Sequence, residues 1–178
     1  MERHSKVERL TSRTLLSGGI FQVLSEKIRL PSGLEQDLLL VAHPGAVAVA
    51  PVLPDGDLLL VRQYRHAAED WLIEIPAGRM ESTEDPLEAA RRELEEETGH
   101  RAARWRELAR FFPAPGFCSE HMVLFAADDL EAVAECVLQP DADEELELVR
   151  LSPLEVLRGG EVRDGKTLLA AALLLTMG

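Results

Sequence analysis

The chain has 178 residues, of which 46% are hydrophobic and 29% are charged, so it can bury the core of one domain. Its formal net charge of −13 argues against a basic surface, and we therefore expect neither nucleic acid nor an anionic membrane as a partner. An anionic substrate would have to be met by a local positive site, such as a bound metal ion.

The N-terminus and the cysteines favour a cytoplasmic protein. Residues 1–10 are polar and charged, so we expect no secretory signal. Cys118 and Cys136 are then expected to be free thiols in a reducing compartment, with a disulfide as the alternative. The longest apolar run, residues 168–177, is too short to cross a bilayer and predicts a buried C-terminal helix.

Residues 1–43 predict a small N-terminal β unit. Residues 1–13 are polar and are expected to fray, whereas residues 15–30 alternate well enough for a strand. A turn signal at residues 31–33 leads into a returning strand over residues 35–42. Such a hairpin has little core of its own, so it must pack on the main domain or on a second chain.

Residues 44–178 predict a mixed α/β domain. Apolar runs predict strands at residues 46–52, 57–64, 71–75, 105–112, 120–127 and 146–151. Helices are predicted at residues 86–98, after the candidate N-cap Ser152, and at residues 166–177. Strands interleaved with two or three helices indicate an α/β (α+β) fold, in which helices pack on a sheet.

The most informative helix has clear boundary signals. Asp85 suits the N-cap, and Pro86 suits the first helical position. Gly99 supplies a stop in the left-handed conformation that glycine adopts most easily. These signals predict a helix over Pro86–Thr98, on which Glu95 is expected to point to solvent.

This helix collects carboxylates on one face. Glu93, Glu96 and Glu97 have i, i+3, i+4 spacing, and Arg92 lies one turn before Glu96 and can hold it. An apolar stripe beside that face is expected to pack on the core: Leu87, Ala90 and Leu94. Crowded carboxylates suit Mg²⁺ or Mn²⁺, but a glutamate-rich face is often only solvated, so this pattern alone leaves both interpretations open.

The spacing around the helix resembles the signature of the Nudix hydrolases. The matching positions are Gly78, Glu84, Arg92, Glu93, Leu94, Glu96, Glu97 and Gly99. His100 departs from the pattern, because the family has an aliphatic residue there, and the departure concerns local packing rather than chemistry. The resemblance implies a Nudix α/β/α sandwich with a mixed sheet over residues 44–178, preceded by the small antiparallel β unit of residues 1–43.

The resemblance also implies a divalent metal site. Glu93, Glu96 and Glu97 would bind Mg²⁺, or Mn²⁺, together with the backbone carbonyl of Ala77. Gly78 would let the backbone approach that ion closely. The ion would neutralise a diphosphate and activate water for its hydrolysis.

The expected catalytic residues include two from this helix and one from a later acidic loop. By the same resemblance, Glu96 would act among the metal ligands, and Arg92 would orient them. Glu144, with Glu145 as its alternative, would accept a proton from the attacking water or help to place it, unless the loop is merely solvated. Glu120 would support the metal site from outside the ligand set.

Segments outside the helix resemble the ADP-ribose pyrophosphatase group of this family. They are VRQYR at residues 61–65, LIEIPAG at residues 72–78, and Pro115, which lies sixteen residues past Gly99. The resemblance implies hydrolysis of ADP-ribose to AMP and ribose 5-phosphate. The alternatives are another nucleoside diphosphate derivative, such as a nucleotide sugar, FAD or NADH, and a non-catalytic nucleotide-binding module.

The same resemblance implies a homodimer with exchanged N-terminal strands. Phe21 is the expected aromatic residue for stacking on adenine, although a core phenylalanine is an equal interpretation. Arg65 would contact the phosphates, or would only pair with an acid, and Gly116 lies in the expected substrate loop. Three histidines lack the spacing of zinc ligands and are interpreted as structural: His43, His66 and His121.

Overall fold

The computed structural model describes residues 6–81, 83–133 and 145–177. The described residues form ten β-strands: β1 (Glu8–Ser17), β2 (Gln22–Arg29), β3 (Glu35–Ala42), β4 (Ala46–Pro51), β5 (Leu58–Arg65), β6 (Asp70–Glu74), β7 (Ala77–Arg79), β8 (His100–Phe111), β9 (Met122–Ala132) and β10 (Glu147–Leu151). They also form three α-helices: α1 (Pro86–Thr98), α2 (Pro153–Arg158) and α3 (Gly165–Met177). None of these helices is long and apolar enough to cross a membrane.

The strands assemble into three sheets. A four-stranded sheet has the order β7-β4-β9-β8, in which β4 runs parallel to β9 and the other neighbours are antiparallel. Strand β5 pairs with β6 and β10 in an antiparallel sheet, and β1, β2 and β3 form the N-terminal antiparallel sheet. The mixed sheet and the antiparallel N-terminal unit agree with the prediction.

Strand β4 separates two hydrophobic cores. All six of its residues are buried, and successive side chains point to opposite faces of the sheet. Ala46, Ala48 and Ala50 belong to a core shared with β5, β6, α2 and α3. Val47 and Val49 belong to a core that α1 closes from the other side. The four-stranded sheet is therefore layered between α1 on one face and the second sheet with α3 on the other.

Helix α1 has the predicted bounds. Asp85 accepts a hydrogen bond from the backbone N–H of Leu87 at 2.9 Å, and Gly99 ends the helix with a φ of 67°. Ala90 and Leu94 are fully buried, which confirms the predicted apolar stripe.

The N-terminal unit has three strands where the sequence predicted two. A turn at Gly18 divides the strand predicted over residues 15–30 into β1 and β2. The expected fraying of residues 1–13 is wrong from Glu8 onward, because β1 begins there. Strand β1 pairs with β2 along its length, and cross-strand ion pairs such as the 2.8 Å contact between Arg29 and Glu8 support a pairing that the linear sequence does not reveal.

Charged residues also explain two differences beside α1. Strand β8 begins five residues earlier than predicted and β9 ends five later, and Arg104 pairs with Asp129 across this exposed extension. Glu95, which was expected to be solvated, is instead buried and receives two hydrogen bonds from Arg101, at 2.6 and 2.8 Å. In each case a charged side chain is ordered by a partner outside its own element.

The two C-terminal helices lie close to their predicted positions. Ser152 caps α2, since its hydroxyl accepts from the N–H of Glu155, whose carboxylate accepts from the N–H of Ser152. Helix α3 buries Ala170 and Ala171 but leaves Leu175 half exposed. The apolar run predicted a buried helix, but only one side of α3 is buried in the core.

Candidate active site

A cleft of about 1140 Å³ opens at the end of the four-stranded sheet where β4 begins. Seven of the ten predicted site residues line it: Arg65, Ala77, Arg92, Glu93, Glu96, Glu97 and Glu120. Gly116 and Phe21 are not among its lining residues in the described part of the chain, and Glu144 lies outside the described residues. The structure therefore brings the carboxylate face, its arginine and Glu120 into one place.

Gly78 lies directly against the carboxylate of Glu93. Strand β7 pairs with β4, which sets Gly78 opposite Val47, and α1 packs beside both strands. A Cβ atom added to Gly78 would lie 2.1 Å from Glu93 Oε1, which is closer than any real contact. Glycine is needed here because another chain group occupies the space of a side chain.

Arg92 neutralises the acidic groups around it. Its Nη1 donates to Glu93 at 2.7 Å and to Glu96 at 2.9 Å, and its Nε donates to Glu84 at 3.2 Å. Its Nη2 donates to the carbonyl of Arg79 at 3.1 Å. Burial alone would lower the pKa of Arg92, but Glu84, Glu93 and Glu96 together raise it above its ordinary value. The hydrogen bonds from Arg92 in turn lower the pKa of Glu84.

The carboxylate face could hold a hard divalent cation. Glu93 and Glu97 are buried and Glu96 is half-buried, and their oxygens are the ligand type that Mg²⁺ prefers. Gly78 lets the backbone of β7 lie directly against the Glu93 carboxylate, so the Ala77–Gly78 backbone is close to the candidate ligands. As they stand, no three acidic, histidine or cysteine side chains of the described residues form a metal cluster, because Arg92 draws Glu93 and Glu96 to itself. An ion at this face would share these carboxylates with the guanidinium group.

A second charged cluster stands at another wall of the cleft. Glu74 is 2% exposed and accepts two hydrogen bonds from Arg65, at 2.9 and 2.8 Å, and one from Lys166 at 2.5 Å. Asp164 also contacts Lys166, at 3.1 Å. Burial would raise the pKa of Glu74, but Arg65 and Lys166 outweigh it and hold the pKa below its ordinary value. Arg65 thus has the acid partner that was one of its two predicted alternatives.

The sequence analysis missed five charged residues that line the cleft: Glu74, Arg79, Glu81, Asp164 and Lys166. The available signal for Glu74 was a charge between two apolar residues, Ile73 and Ile75, because a charge there is costly to bury without a partner. Lys166 gave no signal, since its partner Glu74 lies 92 residues away in the chain. Arg79 is exposed and pairs with no carboxylate among the described residues, so it adds a cation to the cleft.

The predicted substrate loop, residues 113–119, is fastened to the end of β3. The N–H of Val41 donates to the carbonyl of Phe117 at 2.8 Å, and the N–H of Ser119 donates to the carbonyl of Val41 at 2.9 Å. Gly116 is exposed in this loop, and its substrate contact stays a prediction. Glu120 follows the loop directly and lines the cleft.

Comparison with known proteins agrees with this geometry. The sequence profile of the NUDIX domain matches residues 42–172. An ADP-ribose pyrophosphatase of Bacillus subtilis (strain 168) is 35% identical over 161 residues, which cover 89% of this chain and 86% of that protein. A methanol dehydrogenase activator of Bacillus methanolicus is 34% identical over 168 residues, or 93% of this chain and 90% of that protein. The crystal structure of an ADP compounds hydrolase has a TM-score of 0.84 at 25% identity and covers 99% of this chain and 96% of that chain.

The sheet layering and the cleft with its glutamate-bearing helix define a hydrolase of the Nudix class. The chain belongs to the NUDIX domain family, which the profile match over residues 42–172 and the B. subtilis relative both establish. The resemblance drawn from the spacing of the glutamates is thereby confirmed, as is the fold class.

Replacing Gly78 with alanine is expected to displace Glu93, because the new methyl group would occupy the position of its carboxylate. We expect the affinity for Mn²⁺, measured by calorimetry, to fall about tenfold or more. Displacing a metal ligand should lower metal affinity at least as much as removing a residue that only supports that ligand. Gly19→Ala is the matched control, because a Cβ added to that cleft residue meets no atom within 4 Å. Unchanged Mn²⁺ affinity in Gly78→Ala would contradict this account.

The pH dependence of stability should report on Glu74. Its pKa in the folded chain is held below the ordinary value of 4.5, so its contribution to the free energy of unfolding is present above that pH. The contribution is lost as the pH falls through the lowered folded-state pKa. Glu74→Gln should therefore be less stable at pH 7 by about 1–3 kcal/mol, and this difference should shrink in acid. Urea unfolding at pH 7, 5 and 3 measures it, with the exposed Glu161→Gln as control; a constant difference would rule the account out.

Proposed function

We propose that the chain is a Mg²⁺-dependent Nudix hydrolase that cleaves the diphosphate bond of ADP-ribose to AMP and ribose 5-phosphate. One observation carries the proposal: the three glutamates of α1 face a cleft of about 1140 Å³, large enough for a dinucleotide-sized ligand. The B. subtilis relative named ADP-ribose pyrophosphatase supports the choice of substrate. Mn²⁺ is expected to replace Mg²⁺, because both prefer oxygen ligands. We place the enzyme in the cytoplasm, in keeping with the free thiol of Cys118.

Glu93, Glu96 and Glu97 would hold the metal ion, together with the carbonyl of Ala77. When bound, the ion neutralises the diphosphate and lowers the pKa of bound water. Arg92 keeps Glu93 and Glu96 on the cleft side of the helix through its Nη1 contacts. Its charge offsets their mutual repulsion before an ion arrives, so it acts as an orienting residue.

In the proposed reaction a water oxygen attacks one phosphorus, and the bond from that phosphorus to the bridging oxygen breaks. The water proton would pass to a carboxylate of the acidic loop, for which Glu144 is our candidate and Glu145 the alternative. Glu145 is exposed at the start of the described segment 145–177, so its side chain is accessible to solvent. Glu120 would support the ligand set from the start of β9.

Two arginines are proposed to meet the substrate phosphates. Arg65 is held at the cleft wall by Glu74, which limits its freedom before substrate binds. Arg79 is the more exposed of the two and follows Gly78 directly. Because the chain carries a net charge of −13, such local cations are needed to attract an anionic nucleotide.

We also propose a homodimer formed through the N-terminal unit of residues 1–43. This small sheet exposes large apolar side chains that a second chain would cover, among them Leu16 (59% exposed) and Leu39 (65% exposed). Phe21 is 41% exposed and does not line the cleft of its own chain. This position suits a phenylalanine that stacks on the adenine bound by the partner subunit.

Sedimentation equilibrium tests the dimer. The wild-type chain should sediment as a dimer, and Leu39→Asp should shift it toward monomer, because a carboxylate would be buried in an apolar interface. Leu175→Asp is the control, since Leu175 is similarly exposed on α3 and lies outside the N-terminal unit. A monomeric wild-type chain would exclude the proposed assembly.

Substrate and class are tested together by release of nucleoside monophosphate. ADP-ribose, ADP-glucose, NADH, FAD and GDP-mannose are compared at equal concentration, with and without Mg²⁺. We expect metal-dependent release to be strongest from ADP-ribose. A stronger signal from another compound would replace the substrate while keeping the reaction class. No release from any compound would favour a binding role, such as the activator function in the name of the B. methanolicus relative.

The assay also tests the glutamate face directly. Glu97→Gln should reduce kcat/KM by more than about a hundredfold while the protein stays folded. The reason is that loss of a residue that only supports a metal ligand can already lower activity about that much. Glu88→Gln is the matched control, since Glu88 lies on the same helix and only pairs with Arg91. Full activity of Glu97→Gln would remove the metal-site assignment.

A further inference from the structure

His43 lines the cleft just before the start of β4. It lies three residues before Ala46, the first residue of β4, which pairs with Arg79 of β7 on one side and with Met122 of β9 on the other. His43, Arg79 and Glu120 all line the cleft. The histidine is therefore placed between the glutamate-bearing helix side and the Glu120 side of the site.

The orientation of the His43 ring is fixed by its surroundings. Its Nδ1 accepts a hydrogen bond from the N–H of Gly45 at 3.1 Å, and its own backbone N–H donates to Ser119 Oγ at 2.9 Å. A ring nitrogen that accepts a hydrogen bond carries no proton, so this contact assigns the proton of the neutral ring to Nε2. The backbone contacts thus hold Nε2–H as a donor on the opposite edge of the ring.

This donor has no recipient in the described chain. Within residues 6–81, 83–133 and 145–177, no group accepts a hydrogen bond from Nε2 of His43, although the ring is half-buried in the cleft. The neighbouring cations differ, because Arg65, Arg92 and Lys166 are each engaged by glutamates. An N–H that is oriented by the rest of its ring and has no acceptor, on a residue that lines a cleft, suits an oxygen atom of a ligand.

We propose that His43 is a substrate-binding residue whose Nε2–H donates to a non-bridging oxygen of the diphosphate. This inference rests on the proposed function, since it takes a diphosphate as the ligand of the cleft. It replaces the interpretation of His43 as purely structural. A neutral donor adds no charge to the site. It can therefore fix the position of a diphosphate oxygen without competing for the carboxylates that would hold a metal ion.

Two substitutions separate the two edges of the ring. His43→Asn keeps an amide near Nδ1, which can still accept from Gly45, but it removes the donor on the cleft side. His43→Gln reaches toward Nε2 with an amide nitrogen and gives up the Gly45 contact. We expect His43→Asn to weaken ADP binding about tenfold in calorimetry, because it loses a hydrogen bond to a charged phosphate oxygen. His43→Gln keeps such a donor, so its ADP affinity should stay within about threefold of wild type. His66→Asn is the control, because His66 is exposed and lies outside the cleft lining.

ADP is used as the probe so that the result does not depend on turnover. If ADP-ribose proves not to be a substrate but Asn still weakens ADP binding and Gln does not, only the proposed substrate fails. Equal ADP affinity for wild type and Asn, or no ADP binding by wild type, would overturn the role of His43. Long-range ¹H–¹⁵N spectra of the free protein give a second readout, since they show which ring nitrogen carries the proton. A proton on Nδ1 would overturn the proposal as well.

Discussion

Repulsion among the glutamates of α1 is the constraint on which the rest of the site depends. Glu93, Glu96 and Glu97 share one helix face in a chain of net charge −13, and like charges at this spacing destabilise a helix. The guanidinium group of Arg92 donates hydrogen bonds to two of them, Glu93 and Glu96. It also donates to the carbonyl of Arg79 in β7. The face can therefore stay folded without a bound cation, and its carboxylates line the cleft together.

The sheet supplies the precision that this arrangement requires. Strand β4 carries small alanines toward one core and valines toward the other, so both layers can approach it closely. Its pairing with β7 fixes Gly78 at the Glu93 carboxylate, in a contact with no room for a methyl group. Sites built on paired strands and a packed helix are held more tightly than sites on loops. Glycine at 78 is thus a consequence of sheet register as much as of chemistry.

What the sequence could predict was set by how local each signal is. The bounds of α1 followed from Asp85 and Gly99, which act within one turn, and the glutamate face followed from helical periodicity. The three-stranded N-terminal sheet was predicted only in part, because the start of β1 is polar and its pairing partners, such as Glu26 and Arg29, are distant in the chain. The burial of Glu95 and the cluster around Glu74 depend on Arg101 and Lys166, whose proximity only the fold creates.

Backbone hydrogen bonds connect the N-terminal sheet to the loop beside the cleft. The end of β3 is hydrogen-bonded through Val41 to Phe117 and Ser119, and the same segment continues through His43 into β4. Backbone hydrogen bonds of this kind transmit a displacement directly, since neither partner can move alone without losing the bond. A second chain that covers the exposed face of β1–β3 would therefore bear on the orientation of His43 and on the loop before Glu120. Any contact made on the N-terminal sheet would therefore reach the cleft through only a few backbone positions.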